Sequence, residues 1–180
     1  QVSYFLYMMS SYFFLNWNNQ LTTEAGFSDT GGISIAILTQ LGGISGGIII
    51  GWLSSRLPFR PVATAILVLM GLAITGFGAA ASSYALTVIL SVIIGFSIFG
   101  GAVVLYATGA ATFPARVRAT GMGLSMSAGR LGSFFGPFVA GQLLGADLGR
   151  MTTCLLLAVP VVVSAFTLVR VPLTPLKDEI

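Results

Sequence analysis

Residues 61–115 read PVATAILVLMGLAITGFGAAASSYALTVILSVIIGFSIFGGAVVLYATGAATFPA, with no charged side chain from Pro61 to Ala115. A membrane-spanning helix needs about 20 predominantly apolar residues. This stretch is long enough for two, and Ala80-Ala81-Ser82-Ser83 is the natural short turn between them. Three more charge-free stretches, Gln1–Thr23, Thr30–Ser55 and Met151–Val169, hold one helix each. A further span from about Ala119 to Gly145 is interrupted only by Arg130. Helices are therefore expected near 2–23, 30–53, 61–81, 84–108, 118–145 and 150–170. A tail, 171–180, with two prolines and three charges, reads as a solvated linker. Barrel strands would alternate apolar and polar over about 10 residues, whereas these runs are apolar on every side for longer.

Composition points the same way. Of 180 residues, 56% are hydrophobic and 7% charged, and the mean hydropathy is +0.97. Soluble domains carry about 25% charged residues because their outsides face water. Five acids and eight bases could not solvate a globule of this size. The expected fold class is all-α integral membrane, with six transmembrane helices and the lipid bilayer as solvent.

The positions of the bases set the expected orientation. Arg56 and Arg60 fall between helices two and three, Arg116 and Arg118 between four and five, and Arg170 and Lys177 after six. The opposite connections carry Glu24 and Asp29, then no charge, then Asp147 with Arg150. Arg and Lys are retained on the cytoplasmic side, so both chain ends are expected inside, in the inner (plasma) membrane. The same loop bases account for the net charge of +3, which is not a nucleic-acid footprint. The chain opens on Gln1 almost inside a helix, without a basic n-region or cleavage site, and reads as a cut from a longer protein.

Several chemistries drop out. The sequence has no histidine, which removes Ser-His proteolysis and His-ligated metals or haem. Cys154 alone builds neither a zinc nor an iron–sulfur site, and disulfide counting says nothing here. Lys177 is the only lysine, and no Gly-Lys-Ser/Thr loop exists to cradle nucleotide phosphates. No cofactor, metal or ATP hydrolysis is expected.

The helices differ in character. Helices three and six carry scattered Thr and Ser and read as lipid-facing staves. Helix two repeats glycine every fourth residue, at Gly43, Gly47 and Gly51, with Gly42 and Gly46 beside it. Helix five has Ala128, Gly132 and Gly136, then Gly141 and Gly145. Small residues at this spacing let backbones approach closely. Ordinary tight packing and a helix pair that rocks against a second bundle both fit the pattern. On helix one, Tyr12, Asn16 and Asn19 share a face by i, i+4 and i+3 spacing. Amides deep in a bilayer need partners, so this face should look into the protein or a wet cavity. For Asn18, Asn19 and Gln20, a place among the headgroups beside an aromatic belt fits as well. Tyr12, Asn16 and Asn19, with Gln40 of helix two, are taken as candidate substrate contacts.

Arg130 is the most informative residue. It lies 12 residues beyond Arg118, ~18 Å deeper at 1.5 Å per residue, near the middle of a hydrocarbon core ~30 Å thick. Insertion of such an arginine costs about 2.5–3.5 kcal/mol unless a partner or water-filled cavity offsets it. No acid elsewhere in the chain sits at membrane depth. Two accounts stay open. Arg130 is structural, tied to backbone carbonyls or to an acid elsewhere, or it docks an anionic substrate or takes part in a coupling relay.

These residues carry a family resemblance. The stretch from Phe113 through Pro114, Arg116, Arg118 and Gly121 to Gly123, followed by Gly129-Arg130-Leu131-Gly132 and Gly136-Pro137, resembles the entry to helix eleven of major facilitator transporters. It is most similar to the aromatic acid/proton symporters. Asn16-Trp17 and Thr23–Ser28 resemble the end of helix seven in that group, and Gly51, Leu53, Arg56 and Arg60 match positions of the superfamily's cytoplasmic loop motif. The resemblance implies helices seven to twelve of a twelve-helix proton-coupled symporter, half of the major facilitator fold, built as two inverted three-helix repeats. Helices one and four would line the cavity, two and five would meet the other half, and three and six would lie outermost. The implied partners are a small, anionic, aromatic substrate, a proton and an N-terminal six-helix half. Gly51, Arg56, Arg60, Arg116 and Arg118 would form the gating loops.

The chain departs from the family pattern in two places. In the loop motif an acid is replaced by Ser55, a glycine by Pro58 and an arginine by Phe59. Where the family reads Trp-Leu-Pro-Thr-Leu-Leu, this chain has Trp17-Asn18-Asn19-Gln20-Leu21-Thr22, without the kink proline. A sugar or drug porter of the same superfamily, and a non-transporting half that only assembles with partners, are the alternative readings. The missing histidine and the lack of a buried acid pair argue against an intramembrane enzyme.

Overall fold

A computed structural model describes residues 1–80, 83–146 and 149–170, the side chain of Phe59 apart. The described residues form six helices and no strand. They are α1 (Val2–Glu24), α2 (Asp29–Ser54), α3 (Phe59–Ala79), α4 (Tyr84–Thr112), α5 (Arg118–Gly145) and α6 (Gly149–Val169). The turn residues Ala81 and Ser82, the loop residue Asp147 and the 171–180 tail with Lys177 lie outside the described residues.

The helix ends follow from local chemistry. Ser28 caps α2 by accepting a hydrogen bond from the Gly31 N–H at 3.2 Å, and Ser83 caps α4 by accepting from Leu86 at 3.4 Å. Between α1 and α2 the chain turns at Gly26, whose φ of 88° is one that side chains rarely adopt. α3 starts at Phe59, ahead of the expected residue 61, because proline is tolerated in a first helical turn. α4 runs on to Thr112 because nothing breaks it before Pro114, which forces Phe113 into extended backbone at φ −97°, ψ 130°.

Helix pairing is symmetric. α2 lies along α4 and α5 along α1; α3 packs on α4 and α6 on α1; and α3 packs on α6. Exchanging α1 with α4, α2 with α5 and α3 with α6 leaves this set of partners unchanged. Three passes separate α1 from α4, so the second repeat enters from the opposite side. The fold is two inverted three-helix repeats.

Glycine makes the two long seams. Gly42 and Gly46 sit against the carbonyls of Val92 and Phe96 on α4, and Gly95 of α4 sits against the Thr39 carbonyl. In the other repeat, Gly132 and Gly136 of α5 sit against the carbonyls of Phe5 and Met9 on α1. A Cβ at any of these five positions would overlap the facing backbone. Of the two readings of the glycine stripes, tight packing inside this bundle holds for these residues. The stripe of Gly43, Gly47 and Gly51 lies to one side. A Cβ at Gly47 or Gly51 would find only ordinary contact, 4.0 Å from Phe99 and 3.8 Å from Val103.

The core lies mostly where α3, α6 and α1 meet. Leu67, Met70, Ile74 and Phe77 of α3 face Cys154, Leu157 and Val161 of α6, and Phe14 of α1 meets Phe77 edge-on with centroids 5.0 Å apart. The lipid-facing description of helices three and six thus fits one face of each, at Leu72 and at Val159 and Phe166. Hydroxyls tie α6 to α1, whereas Thr64 and Thr75 of α3 bond within their own helix. Ser164 donates to the Ser3 carbonyl at 2.9 Å, Ser3 and Thr167 share a hydrogen bond of 2.9 Å, and Ser10 donates to the Leu157 carbonyl at 2.7 Å. Such interhelical bonds contribute about 0.6 kcal/mol each in a membrane. Arg150, counted from sequence as a loop charge, is buried. It donates to the Phe77 carbonyl and lies over the Phe77 ring, 4.3 Å from its centroid, closing the end of α3.

Four helices, α2, α3, α4 and α6, are long and apolar enough to cross a membrane by length and composition. The two more polar ones, α1 and α5, form one seam together.

Candidate functional site

The α1–α5 seam positions the site. α5 turns Ser125, Gly129, Gly132, Gly136 and Ala140 inward, because only the glycine face fits the α1 backbone. Met126, Arg130, Ser133 and Pro137, spaced i, i+4, i+7 and i+11, are thereby directed along the outer edge of the seam. On α1, Tyr4, Tyr7, Phe13 and Phe14 fill the core, leaving Tyr12, Asn16, Asn19 and Gln20 exposed.

Two adjoining cavities result. The smaller, about 90 Å³, is lined by Arg130, Met126 and Ser133 of α5, Met8 and Tyr12 of α1 and Tyr106 of α4. The larger, about 620 Å³, is an open groove lined by Tyr12, Asn16, Trp17, Ser133, Phe134, Pro137 and Phe138. Tyr12 and Ser133 belong to both. The larger volume falls within the 300–1,000 Å³ range typical of small-molecule sites.

The Arg130 guanidinium has no hydrogen bond or ion pair among the described residues, and α5 is unbroken around it. The carbonyl-bound arginine considered from sequence therefore does not occur here. Asn16 Nδ2 donates to the Tyr12 carbonyl at 2.8 Å, which fixes the amide and leaves its oxygen as an acceptor beside the groove. Ser133 Oγ donates to the Arg130 carbonyl at 2.7 Å. Pro137 has no N–H to offer the Ser133 carbonyl four residues back, so that carbonyl is a second acceptor at the cavity wall. Phe134 and Phe138 are exposed and stack at 6.4 Å with planes 9° apart, an apolar platform beside these polar groups.

The structure brings together Arg130, Tyr12 and Asn16 of the candidate set, and leaves Asn19 and Gln40 apart from them. Asn19 lies one turn beyond Asn16, its side chain against Gly32 of α2. Gln40 is exposed on α2, a helix that lines neither cavity. Asn18, for which a headgroup position was open, is buried and donates to Thr39 Oγ1 of α2 at 3.2 Å. At the loops, Arg118 Nε donates to the Phe113 carbonyl at 3.3 Å, Arg56 lies over the Trp52 ring at 4.8 Å, and Arg60 and Arg116 are exposed. Gly51 lies within α2, in ordinary contact.

Sequence reasoning missed Ser133, Pro137, Phe134, Phe138 and Tyr106. For the α5 residues a signal existed, because 130, 134 and 138 repeat every fourth residue and 126, 130, 133 and 137 follow one helical stripe. Tyr106 gave none, because nothing local shows which face of α4 meets Tyr12.

An all-helical chain with four membrane-crossing helices and a polar cavity along its two less apolar ones is an integral membrane protein. It belongs to the Major Facilitator Superfamily, whose family model matches residues 2–179. The chain is 31% identical over 150 residues to the 3-(3-hydroxy-phenyl)propionate transporter of Escherichia coli (strain K12), covering 82% of this chain and 36% of the relative. It is 31% identical over 168 residues to the gallate transporter of Pseudomonas putida, covering 93% and 37%. The benzoate transport protein of Acinetobacter baylyi is 26% identical over 186 residues, covering 98% and 40%. The chain thus spans 36–40% of the length of these curated relatives, all of which are named transporters rather than enzymes.

Proposed function

We propose that this chain is the C-terminal half, helices seven to twelve, of a proton-coupled secondary transporter that carries a small aromatic acid by alternating access. Coverage of little more than a third of each relative supports the half-protein reading, and the relatives' names support the substrate class. The observation that carries the proposal is Arg130, whose guanidinium has no hydrogen bond or ion pair among the described residues and lines a cavity that adjoins an aromatic-walled groove. Its planar fork accepts a carboxylate through two parallel hydrogen bonds. The substrate ring lies against Phe134, Phe138 and Trp17, and ring hydroxyls donate to the Asn16 and Ser133 oxygens. Glu24 and Asp29, the acids among the described residues, stand at the α1–α2 connection. The proton-carrying carboxylate is therefore expected from the N-terminal half, which rocks against this bundle.

The test is binding and uptake of labelled benzoate-type acids by the full-length protein carrying Arg130→Lys or Arg130→Ala. A charged hydrogen bond contributes about 1.5–3 kcal/mol, so Arg130→Ala is expected to weaken binding by roughly ten- to a hundredfold or more. Arg130→Lys falls between, and both variants insert normally. A well-folded Arg130→Ala protein that binds the acid at near wild-type affinity would overturn the proposal. A collapse of expression before affinity changes would assign Arg130 a structural tie to an acid in the other half.

We also infer that both termini of this half are cytoplasmic, in the inner membrane. Arg56, Arg60, Arg116, Arg118 and Arg170 gather at one end of the bundle, opposite Glu24 and Asp29, which supports this orientation. A single cysteine at Ala115 in a Cys154→Ser background should resist an impermeant external reagent in intact cells. Labelling there would reverse the orientation.

A further inference from the structure

The connection between α2 and α3 bears another cavity, well away from Arg130. These two helices are neighbours in sequence but diverge, because Gly42 and Gly46 draw α2 onto α4 while α3 packs on α6. The gap is a groove of about 410 Å³ with apolar walls. Leu53 and Leu57 line one side, Pro61, Ala65 and Leu69 the other, and Phe96 of α4 the floor. It begins at Pro58, beside the loop, and reaches Leu69 on α3. Those 11 residues rise ~16 Å, close to half of a hydrocarbon core ~30 Å thick. The groove is therefore one leaflet deep.

Its mouth is positive. Arg56 and Arg60 flank Leu57-Pro58 and are exposed, and Arg56 is held over the exposed Trp52 ring. α3 begins at this point with Pro58 as its N-cap, which makes no side-chain hydrogen bond to the first amides. Their N–H groups and the positive end of the helix dipole add to the charge of the mouth. Residues 55–58 carry no carboxylate, and among the described residues the acids, Glu24 and Asp29, stand at the far end of α2.

We propose that this groove seats one anionic phospholipid, with an acyl chain in the slot between α2 and α3 and the phosphate on Arg56, Arg60 and the α3 N-terminus. An apolar slot one leaflet deep beneath a cationic rim matches both parts of such a lipid. A free anion would use only the rim, and an apolar peptide only the slot. Juxtamembrane bases attract anionic headgroups, and here an adjoining slot gives that attraction a fixed address.

The full-length protein is reconstituted with equal amounts of phosphatidylglycerol and phosphatidylcholine bearing the same acyl chains. It is then extracted in mild detergent, and retained lipid is read by native mass spectrometry. The expected result is one tightly held phosphatidylglycerol, preferred roughly thirtyfold for two basic contacts. Arg56→Gln with Arg60→Gln should abolish the preference while leaving weak retention of either lipid. Ala65→Trp, which fills the slot from its exposed wall, should abolish retention of both, with helix content by circular dichroism unchanged. Equal retention of the two lipids by the wild type would overturn the proposal. So would a preference that survives the double glutamine variant, retention that survives Ala65→Trp, or displacement of the lipid by inorganic phosphate.

Discussion

The α2–α4 and α5–α1 seams are the same construction put to different ends. In each, two glycines four residues apart face two carbonyls four residues apart on the partner helix. Outside the contact they diverge. α2 turns Ile33, Ile37, Leu41, Ile44, Ile48 and Trp52 outward, a continuous apolar stripe. α5 turns Met126, Arg130, Ser133, Phe134 and Phe138 outward and meets Tyr12 and Asn16 there. The inverted repeat therefore fixes the backbone contacts in both copies and leaves the outward faces free to differ. Arg130 and Ser133 of α5 line a cavity, whereas the exposed Ser34 and Gln40 of α2 line neither of the two cavities at the α1–α5 seam.

If the seams are equivalent as scaffolds, Gly46→Leu and Gly132→Leu should be equally damaging, each by ~3 kcal/mol or more, because the new side chain has only backbone to displace. Unfolding of the reconstituted protein in mixed detergent measures this, and a wild-type midpoint for either variant would break the equivalence. A smaller effect is expected where α1 and α4, the first helices of the two repeats, touch. Tyr7 of α1 donates its hydroxyl to the Ile98 carbonyl of α4, with its ring beside Gly101. Tyr7→Phe keeps the ring and should cost about 1 kcal/mol. A loss above ~3 kcal/mol would mean that this one bond, rather than the glycine seams, holds the repeats together. The smallest effect belongs to the side stripe of α2. Gly47→Ala meets Phe99 only at 4.0 Å, so relief of helical glycine entropy should leave stability unchanged or raise it by about 0.5 kcal/mol. A clear destabilisation would show that this stripe also packs against a neighbour, such as the N-terminal half proposed above.

Much of the helix order was legible because spanning a bilayer is a demand on composition and length, which a sequence displays directly. Arg130 stood out for the same reason, since a charge within an otherwise apolar span has few bland explanations. The character of helices three and six was only half legible. Composition cannot tell a side chain that faces lipid from one that faces another helix, because both surroundings are apolar, so Leu67 and Leu72 look alike until packing separates them. Asn18 and Asn19 show the same limit with amides. One bonds inside the bundle and the other is exposed, although they are adjacent and chemically identical.

The sequence by itself determined the helical class, the membrane setting, the approximate helix positions and the presence of one arginine within a helix, since each follows from residue type and spacing along one helix. The tertiary structure decided which glycines are backbone contacts, which polar residues share a cavity with Arg130 and which do not, and where α2 and α3 part to leave a groove. Those depend on the rotation of each helix about its own axis against its neighbours. That rotation is set by close contacts between residues distant in the chain, Gly132 with Phe5 and Gly46 with Phe96 among them.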